Sequence, residues 1–316
     1  MHMIKLIFCA YALDMFFGDP KWMLHPVTVI ARLAKKLERL LYRDHYLSGF
    51  LFTLTVVGGT GLSVWGMLIG AKALHPYLYD ALAIYLMYTA LATRDLAAHA
   101  AEVWQNLKEE NLVEARNSVS MIVGRDTHQM GKAEIARATV ESVGENMVDG
   151  VTAPLMFMLA FGPVGVWIFK AASTMDSLVG YKNVRYQKFG YASAKLDDLL
   201  TYLPARLTLL PAMLAALFFK VNPLTVLRLA LRDGRKHESP NSAYGESYLS
   251  SLINKRLGGE ARYQGEVELR PLIGEGEPVS TPDDILLAVK AMVVTSVFTL
   301  VLGLILLMIF KGGFYV

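Results

Sequence analysis

Two polar blocks carry the residues whose types and spacing could do chemistry. The first, E-S-V-G-E-N-M-V-D-G, puts Glu141, Glu145 and Asp149 at i, i+4 and i+8, with Asn146 beside them. On one helix these positions share a stripe. Carboxylates so spaced repel by roughly a few tenths of a kcal/mol per pair unless a cation lies between them. Arg137, one turn before Glu141, offsets part of that repulsion. Mg²⁺ favours carboxylate and amide oxygens and commonly bridges to substrate phosphates. The stripe therefore reads as a candidate Mg²⁺–nucleotide site, and the plainer alternative is a solvated helix face.

The second block, D-S-L-V-G-Y-K-N-V-R-Y-Q-K-F-G-Y-A-S-A-K-L-D-D, contains Asp176, Lys182, Asn183, Arg185, Asp197 and Asp198. Gly180 permits close backbone approach, and Lys182 with Arg185 could neutralise phosphate. Asp197 and Asp198 could add metal ligands. The alternative is a basic juxtamembrane collar, which accounts for the lysines but not for Asp176 or Asn183. Farther on, H-E-S-P-N offers His237 as a proton carrier, with Ser239 and Asn241 as polar neighbours, although lone histidines are more often structural. Arg228, Arg232, Arg235 and Lys236 fall on about one helical face and suit anions or lipid headgroups. No P-loop, dinucleotide fingerprint or Cys/His zinc spacing is present, so any ATP is bound unconventionally.

The surrounding chain is built for a membrane. Of 316 residues, 54% are hydrophobic and 19% charged, with a mean hydropathy of +0.37, outside the soluble norm. The net charge of +3 is gathered into loops, which suits a cytoplasmic membrane face and not a nucleic-acid surface. The single Cys9 excludes a disulfide framework or thiolate cluster. The apolar run Ile4–Phe17 contains Asp14 and ends in G-D-P, so it is not read as a removable signal peptide.

The elements that must position these blocks follow from periodicity. Residues 21–48 read as a basic amphipathic helix lying at an interface. Phe50–Leu74 is a span whose Gly58, Gly59, Gly61, Gly66 and Gly70 suggest close helix packing, and Pro76–Thr93 reads as a second span returning to the first side. Within 94–150, Asp126-Thr127-His128-Gln129 resembles a helix start, with a helix over Lys132–Asp149. Val151–Phe169 is apolar but interrupted at Gly162-Pro163. The positive-inside rule puts 21–48, and then 94–150, in the cytoplasm. A re-entrant hairpin at Gly162-Pro163 keeps the lysine-rich block on that side as well. Leu199–Val221, with Pro204 and Pro211, reads as a second incomplete crossing. The region 222–284 is loop-like, and Ile285–Phe310 is a final span followed by a tail too short to fold. No period of 20–50 residues repeats. The expected fold class is all-α: a polytopic helical membrane protein with about 4–5 membrane-embedded segments, re-entrant half-helices and large polar cytoplasmic helical loops. We read 1–316 as a single membrane-embedded domain, with 94–150 and 222–284 contributing to the site.

In order from about Leu13 to Tyr263, these motifs resemble one family: L-D-M-F-F-G-D-P-K-W-M-L-H-P-V, G-R-D-T, E-S-V-G-E-N-M-V-D-G-V-T-A-P-L, the D-S-L-V-G-Y-K-N-V-R-Y block, F-G-Y-A-S-A-K-L-D-D, L-P-A-R-L-T, H-E-S-P-N-S and R-L-G-G-E-A-R-Y. It is the adenosylcobinamide-phosphate synthase family of cobalamin biosynthesis. The resemblance implies an integral membrane amide ligase of the cytoplasmic membrane, with its site facing the cytoplasm. Such enzymes join adenosylcobyric acid to (R)-1-amino-2-propanol O-phosphate, or a related amino alcohol phosphate, using ATP and Mg²⁺. A corrin propionate is activated, as an acyl phosphate, and the amine attacks it. Set on the matching motifs, our reading gives catalytic roles to Glu141, Glu145, Asp149, Asp176 and Lys182. Phosphate or substrate binding goes to Arg125, Asn146, Asn183, Arg185, Ser239 and Asn241, and metal ligation to Glu145, Asp149, Asp176, Asp197 and Asp198. The implied partners are the corrinoid, the amino alcohol phosphate, the lipid bilayer and other membrane-associated enzymes late in the pathway; nucleic acid is not among them. Two departures stand out. The family often has Ala or Ser where Gly144 stands, which predicts a less rigid helix here, and Glu266–Pro282 fits no pattern. A non-enzymatic membrane sensor related to the same family is the main alternative. A transporter is disfavoured because the long spans are nearly free of polar residues.

Overall fold

The computed structural model describes residues 2–20, 22–237 and 239–310. Lys21, Glu238 and the tail from Lys311, all named above, lie outside them. Helices α1 (His2–Phe17), α2 (Pro26–Leu41), α3 (Tyr46–Leu74), α4 (Pro76–Tyr88), α5 (Thr93–Lys108), α6 (Leu112–Ser120) and α7 (Lys132–Asn146) come first. A wide π-helical turn, Met147–Thr152, leads into α8 (Ala153–Val179), then α9 (Tyr191–Leu207), α10 (Leu209–Phe218), α11 (Pro223–Asp233) and α12 (Ser242–Ile253). Strands β1 (Lys255–Tyr263), β2 (Glu266–Ile273) and β3 (Glu277–Pro278) precede α13 (Asp283–Ile309). Among the described residues, four stretches are long and apolar enough to cross a membrane: α3, the α7–α8 run, the α9–α10 run and α13. The protein is a helical, polytopic membrane protein.

The chain divides into two compact units, each made of discontinuous segments: 1–92 with 153–201 and 302–316, and 93–152 with 202–301. In the first, α8 packs along α3. The break expected at Gly162-Pro163 is there: Gly162 has φ 63° and ψ −155°, backbone that a side chain would strain. The ring centroids of Phe157 and Phe169 lie 4.8 Å apart, whereas twelve residues of unbroken helix would separate them by about 18 Å. The chain therefore reverses direction, and α8 is a helical hairpin.

Several details differ from expectation. Of the five glycines named in α3, only Gly61 faces a neighbouring helix, where an added Cβ would lie 3.0 Å from Ile168 of α8; the other four face open space. The expected second span is the 13-residue α4, about 20 Å long against a hydrocarbon core of about 30 Å. In the second crossing the helix passes through Pro204 and continues through Thr208, whose backbone stays helical (φ −58°, ψ −18°) and bonds back to Pro204 O at 2.9 Å. Pro211 removes one N–H from the ladder without ending the 28-residue run.

In the second unit every residue of α12 after Ser242 is buried. It packs on α7 and α11, and its hydroxyls are satisfied internally, Ser247 Oγ on Leu229 O at 3.1 Å and Tyr248 OH on Ala205 O at 2.7 Å. Asp126 does not start a helix. Its carboxylate accepts from Gly265 N at 2.7 Å, while α7 begins after Gly131, whose N–H donates to Glu134. The stretch read as a loop instead forms an antiparallel β1–β2 hairpin, with β3 on the other edge of β1. Its turn is Gln264-Gly265, both with positive φ (52° and 85°), the backbone that matches the twist of paired strands.

Candidate functional site

A polar cavity of about 590 Å³ in the second unit collects the chemistry-bearing side chains. The loop 122–125 brings Arg125, α7 brings Ser142 and Glu145, the segment after α11 brings Lys236, His237 and Ser239, and β2 brings Glu268 and Arg270. The two polar regions, 94–150 and 222–284, therefore meet here.

The cavity wall is backed by an ion-pair network centred on two buried carboxylates. Glu141 is 1% exposed; Arg125 approaches its Oε2 at 2.5 Å and Arg270 at 2.9 Å. Gly258 N donates to its Oε1 at 2.7 Å, and Arg137 adds a longer contact of 3.8 Å. Arg270 reaches on to Glu246 Oε1 at 2.8 Å, and its Nη2 is 3.3 Å from His237 Nε2. Burial disfavours the charged form of the Arg270 guanidinium, but the carboxylates of Glu246 and Glu141 outweigh it and hold the group firmly charged. Two buried carboxylates thus fix one arginine at the cavity wall. Glycines make this possible. A Cβ at Gly245 would lie 2.1 Å from Gly144 O, and one at Gly144 would lie 3.0 Å from Glu246 Cα. Gly144 accordingly sets how closely α7 and α12 approach, so its effect is on packing rather than helix rigidity.

The remaining sequence-derived residues distribute as follows. Glu145 opens onto the cavity, and Asp149 sits in the π-helical turn. That wider turn ends the 3.6-residue period, so the stripe is not continued in regular helix. Asn146 donates to Ser142 O at 2.9 Å. Ser239 Oγ accepts from Asn241 N at 3.3 Å, and Asn241 Oδ1 accepts from Arg206 at 3.1 Å. Asp176, Lys182, Asn183, Arg185, Asp197 and Asp198 belong to the first unit. There Asp176, Asp197 and Asp198 lie near enough to interact electrostatically, and Asp198 pairs with Lys195 at 3.2 Å. Asn183 Oδ1 accepts from Tyr186 N, and Arg185 pairs with Glu38 at 2.9 Å. The basic face of α11 is tied down as well, with Arg228 and Arg232 on Glu275 at 2.6 and 2.7 Å.

Among the described residues, no three His, Cys, Asp or Glu side chains are grouped to hold a metal ion unaided. Mg²⁺ needs only one or two protein carboxylates beside substrate phosphates, and the cavity presents Glu145 and Glu268. The donor set fits a phosphate-bridged Mg²⁺. Arg270 and Glu268 come from the stretch that fitted no pattern. The signal for them was the alternation A-R-Y-Q-G-E-V-E-L-R about a two-residue turn.

The family model described as CobD/Cbib protein matches residues 7–292. The chain is 39% identical over 307 residues to cobalamin biosynthesis protein CbiB of Salmonella choleraesuis, covering 95% of this chain and 96% of that one. It is 41% identical over 308 residues to cobalamin biosynthesis protein CobD of Streptococcus sanguinis, with 96% of each covered. The CobD protein of Geobacter metallireducens is 41% identical over 273 residues, 85% of this chain and 86% of that one. No solved structure matches the chain. With a family match over nearly its whole length and relatives this similar end to end, the chain belongs to the CobD/CbiB family.

Proposed function

We propose that the chain is an adenosylcobinamide-phosphate synthase, forming an amide between a propionate of adenosylcobyric acid and (R)-1-amino-2-propanol O-phosphate. The relatives' names, which assign them to cobalamin biosynthesis, support the pathway. One observation carries the chemistry: a single polar cavity gathers Arg125, Lys236 and Arg270 with Glu145 and Glu268. That is the donor set for binding phosphates with a divalent cation.

Mg-ATP, when bound, supplies the activation of the propionate carboxylate. The cationic wall takes up phosphate charge, and Arg270 does so without reorganising because Glu141 and Glu246 already hold it. Glu145 and Glu268 are the carboxylates for Mg²⁺. The amine of the second substrate must lose a proton before it attacks, and His237 is the imidazole that lines the cavity to receive it. Asp149, Asp176, Lys182, Asn183, Arg185, Asp197 and Asp198 keep their proposed metal and phosphate roles. We further propose the cytoplasmic membrane as location, with the cavity open to the cytoplasm.

The test is an endpoint assay on detergent-purified protein with adenosylcobyric acid, aminopropanol phosphate and Mg-ATP, read as corrinoid mass. An ATP-dependent gain equal to the amide is expected. Glu145→Gln should lower turnover roughly a hundredfold or more with an unchanged melting temperature. Well-folded protein that gives no product with any amino alcohol phosphate would sink the reaction and favour the sensor. Full turnover by Glu145→Gln would sink the role of that carboxylate alone.

A further inference from the structure

We propose that the first unit carries a binding site for one anionic glycerophospholipid, with an acyl chain in a groove beside the apex of the α8 hairpin and its phosphate on Lys72. The groove has a volume of about 400 Å³, and its walls are Trp65 and Ile69 of α3 with Phe161 and Pro163 at the apex. Nearly all of its lining is apolar, and among the described residues Lys72 is the one charged member of it.

Three observations favour a lipid of this charge. Trp65, Ile69 and Lys72 fall at i, i+4 and i+7 on α3, so they form one stripe. Polarity changes along it: two half-exposed apolar side chains, 44% each, lead to a cation in the last turn of a 29-residue candidate span. That is the polarity order of a phospholipid, tail first and headgroup at the interface where a lysine ends. Second, Lys72 has no ion-pair partner among the described residues; its Nζ lies 5.9 Å from the Tyr79 ring centroid. Asp80, the carboxylate near Tyr79, contacts His2 at 2.7 Å. An unpaired cation beside Tyr79 calls for an anion, and a zwitterionic headgroup would set its own ammonium against it. Third, the turn beside the groove is itself packed. A Cβ at Gly165 would lie 2.2 Å from Phe161 Cβ, so the apex forms a tight wall along which an acyl chain can lie.

The proposal is independent of the reaction assigned above. Its test is native mass spectrometry of the full chain, purified in detergent and offered equimolar phosphatidylglycerol and phosphatidylcholine. The wild-type chain should retain phosphatidylglycerol about fivefold over phosphatidylcholine, the worth of one lysine opposite an anionic headgroup. Lys72→Gln should abolish that preference while some lipid is still retained. Ile69→Trp, which fills the groove from an exposed position, should release both lipids. Equal retention of the two lipids by wild type, or a preference that survives Lys72→Gln, would overturn it. Circular dichroism of each variant separates loss of lipid from loss of fold.

Discussion

Asp233 shows how this chain uses buried carboxylates. It closes α11 with a fully buried side chain. Arg232 donates to its two oxygens at 2.8 and 2.7 Å, Gly274 N at 2.8 Å, and Lys236 approaches at 2.7 Å. Burial pushes the carboxyl up, but those donors outweigh it and hold its pKa down to about 2. A carboxyl depressed in the folded state stabilises the fold above its unfolded pKa, near 3.9, and loses that contribution as pH falls toward 2. On the order of 2 kcal/mol should vanish across that window. Melting temperature followed from pH 6 to pH 2 should fall more steeply for wild type than for Asp233→Asn; parallel curves would show that Asp233 is not the titrating group. Glu141 is the same device in the neighbouring network, and this limits what spacing reveals. Its i, i+4 relation to Glu145 was legible. That Arg125, Arg270 and Gly258 enclose one carboxylate while the other opens onto the cavity depends on residues far away in sequence.

Among the elements, the β1–β2 hairpin was hidden and the long helices were plain. Helices such as α3 and α13 are continuous apolar runs, and their bounds follow from composition. The hairpin lies in a polar region, exposes most of β2, and has Gly258 and Gly259 at a register shift in β1. Those glycines read as loop, although they mark a bulge. The hairpin's work also depends on long-range contact, since its tip is held by Asp126 and by Gln129, which accepts from Arg262 at 2.9 Å. Its turn gives a test at this scale. Gln264 sits at φ 52°, where Asn is tolerated far better than longer side chains, and Asn-Gly is the favoured pair for such a turn. Gln264→Asn should stabilise the protein by about 0.5–1 kcal/mol, and Gln264→Val, β-branched at positive φ, should destabilise it. Melting temperatures in that order support the turn; the reverse order would place the hairpin's register elsewhere.

At the scale of the whole molecule, hydropathy announced a membrane protein, but sequence order concealed how the chain is shared out. Each unit is assembled from segments far apart in sequence, and only non-local contacts reveal that. Within the first unit the geometry bears on topology. The loop after α8 returns to the start of α3: Arg185 pairs with Glu38 of α2, Lys188 with Asp44 at 2.8 Å, and Tyr42 OH donates to Arg185 O at 3.0 Å. A Cβ at Gly49 would collide with Phe189 O at 1.9 Å, so this docking is tight. The other end of α3 lies about 43 Å away along the helix axis, from 29 residues at about 1.5 Å each. The basic content of α2 puts its end in the cytoplasm by the positive-inside rule. Val184, 94% exposed, and Tyr77, 76% exposed just past α3, should therefore lie on opposite sides of the membrane. In a Cys9→Ser background, Val184→Cys should react with an impermeant maleimide only in inverted vesicles, and Tyr77→Cys only in intact cells. Labelling of both from one side would mean that α3 does not cross. Exchanged sides would mean that the charge rule has been read in the wrong sense for this chain, and the cavity's proposed cytoplasmic orientation would lose its basis.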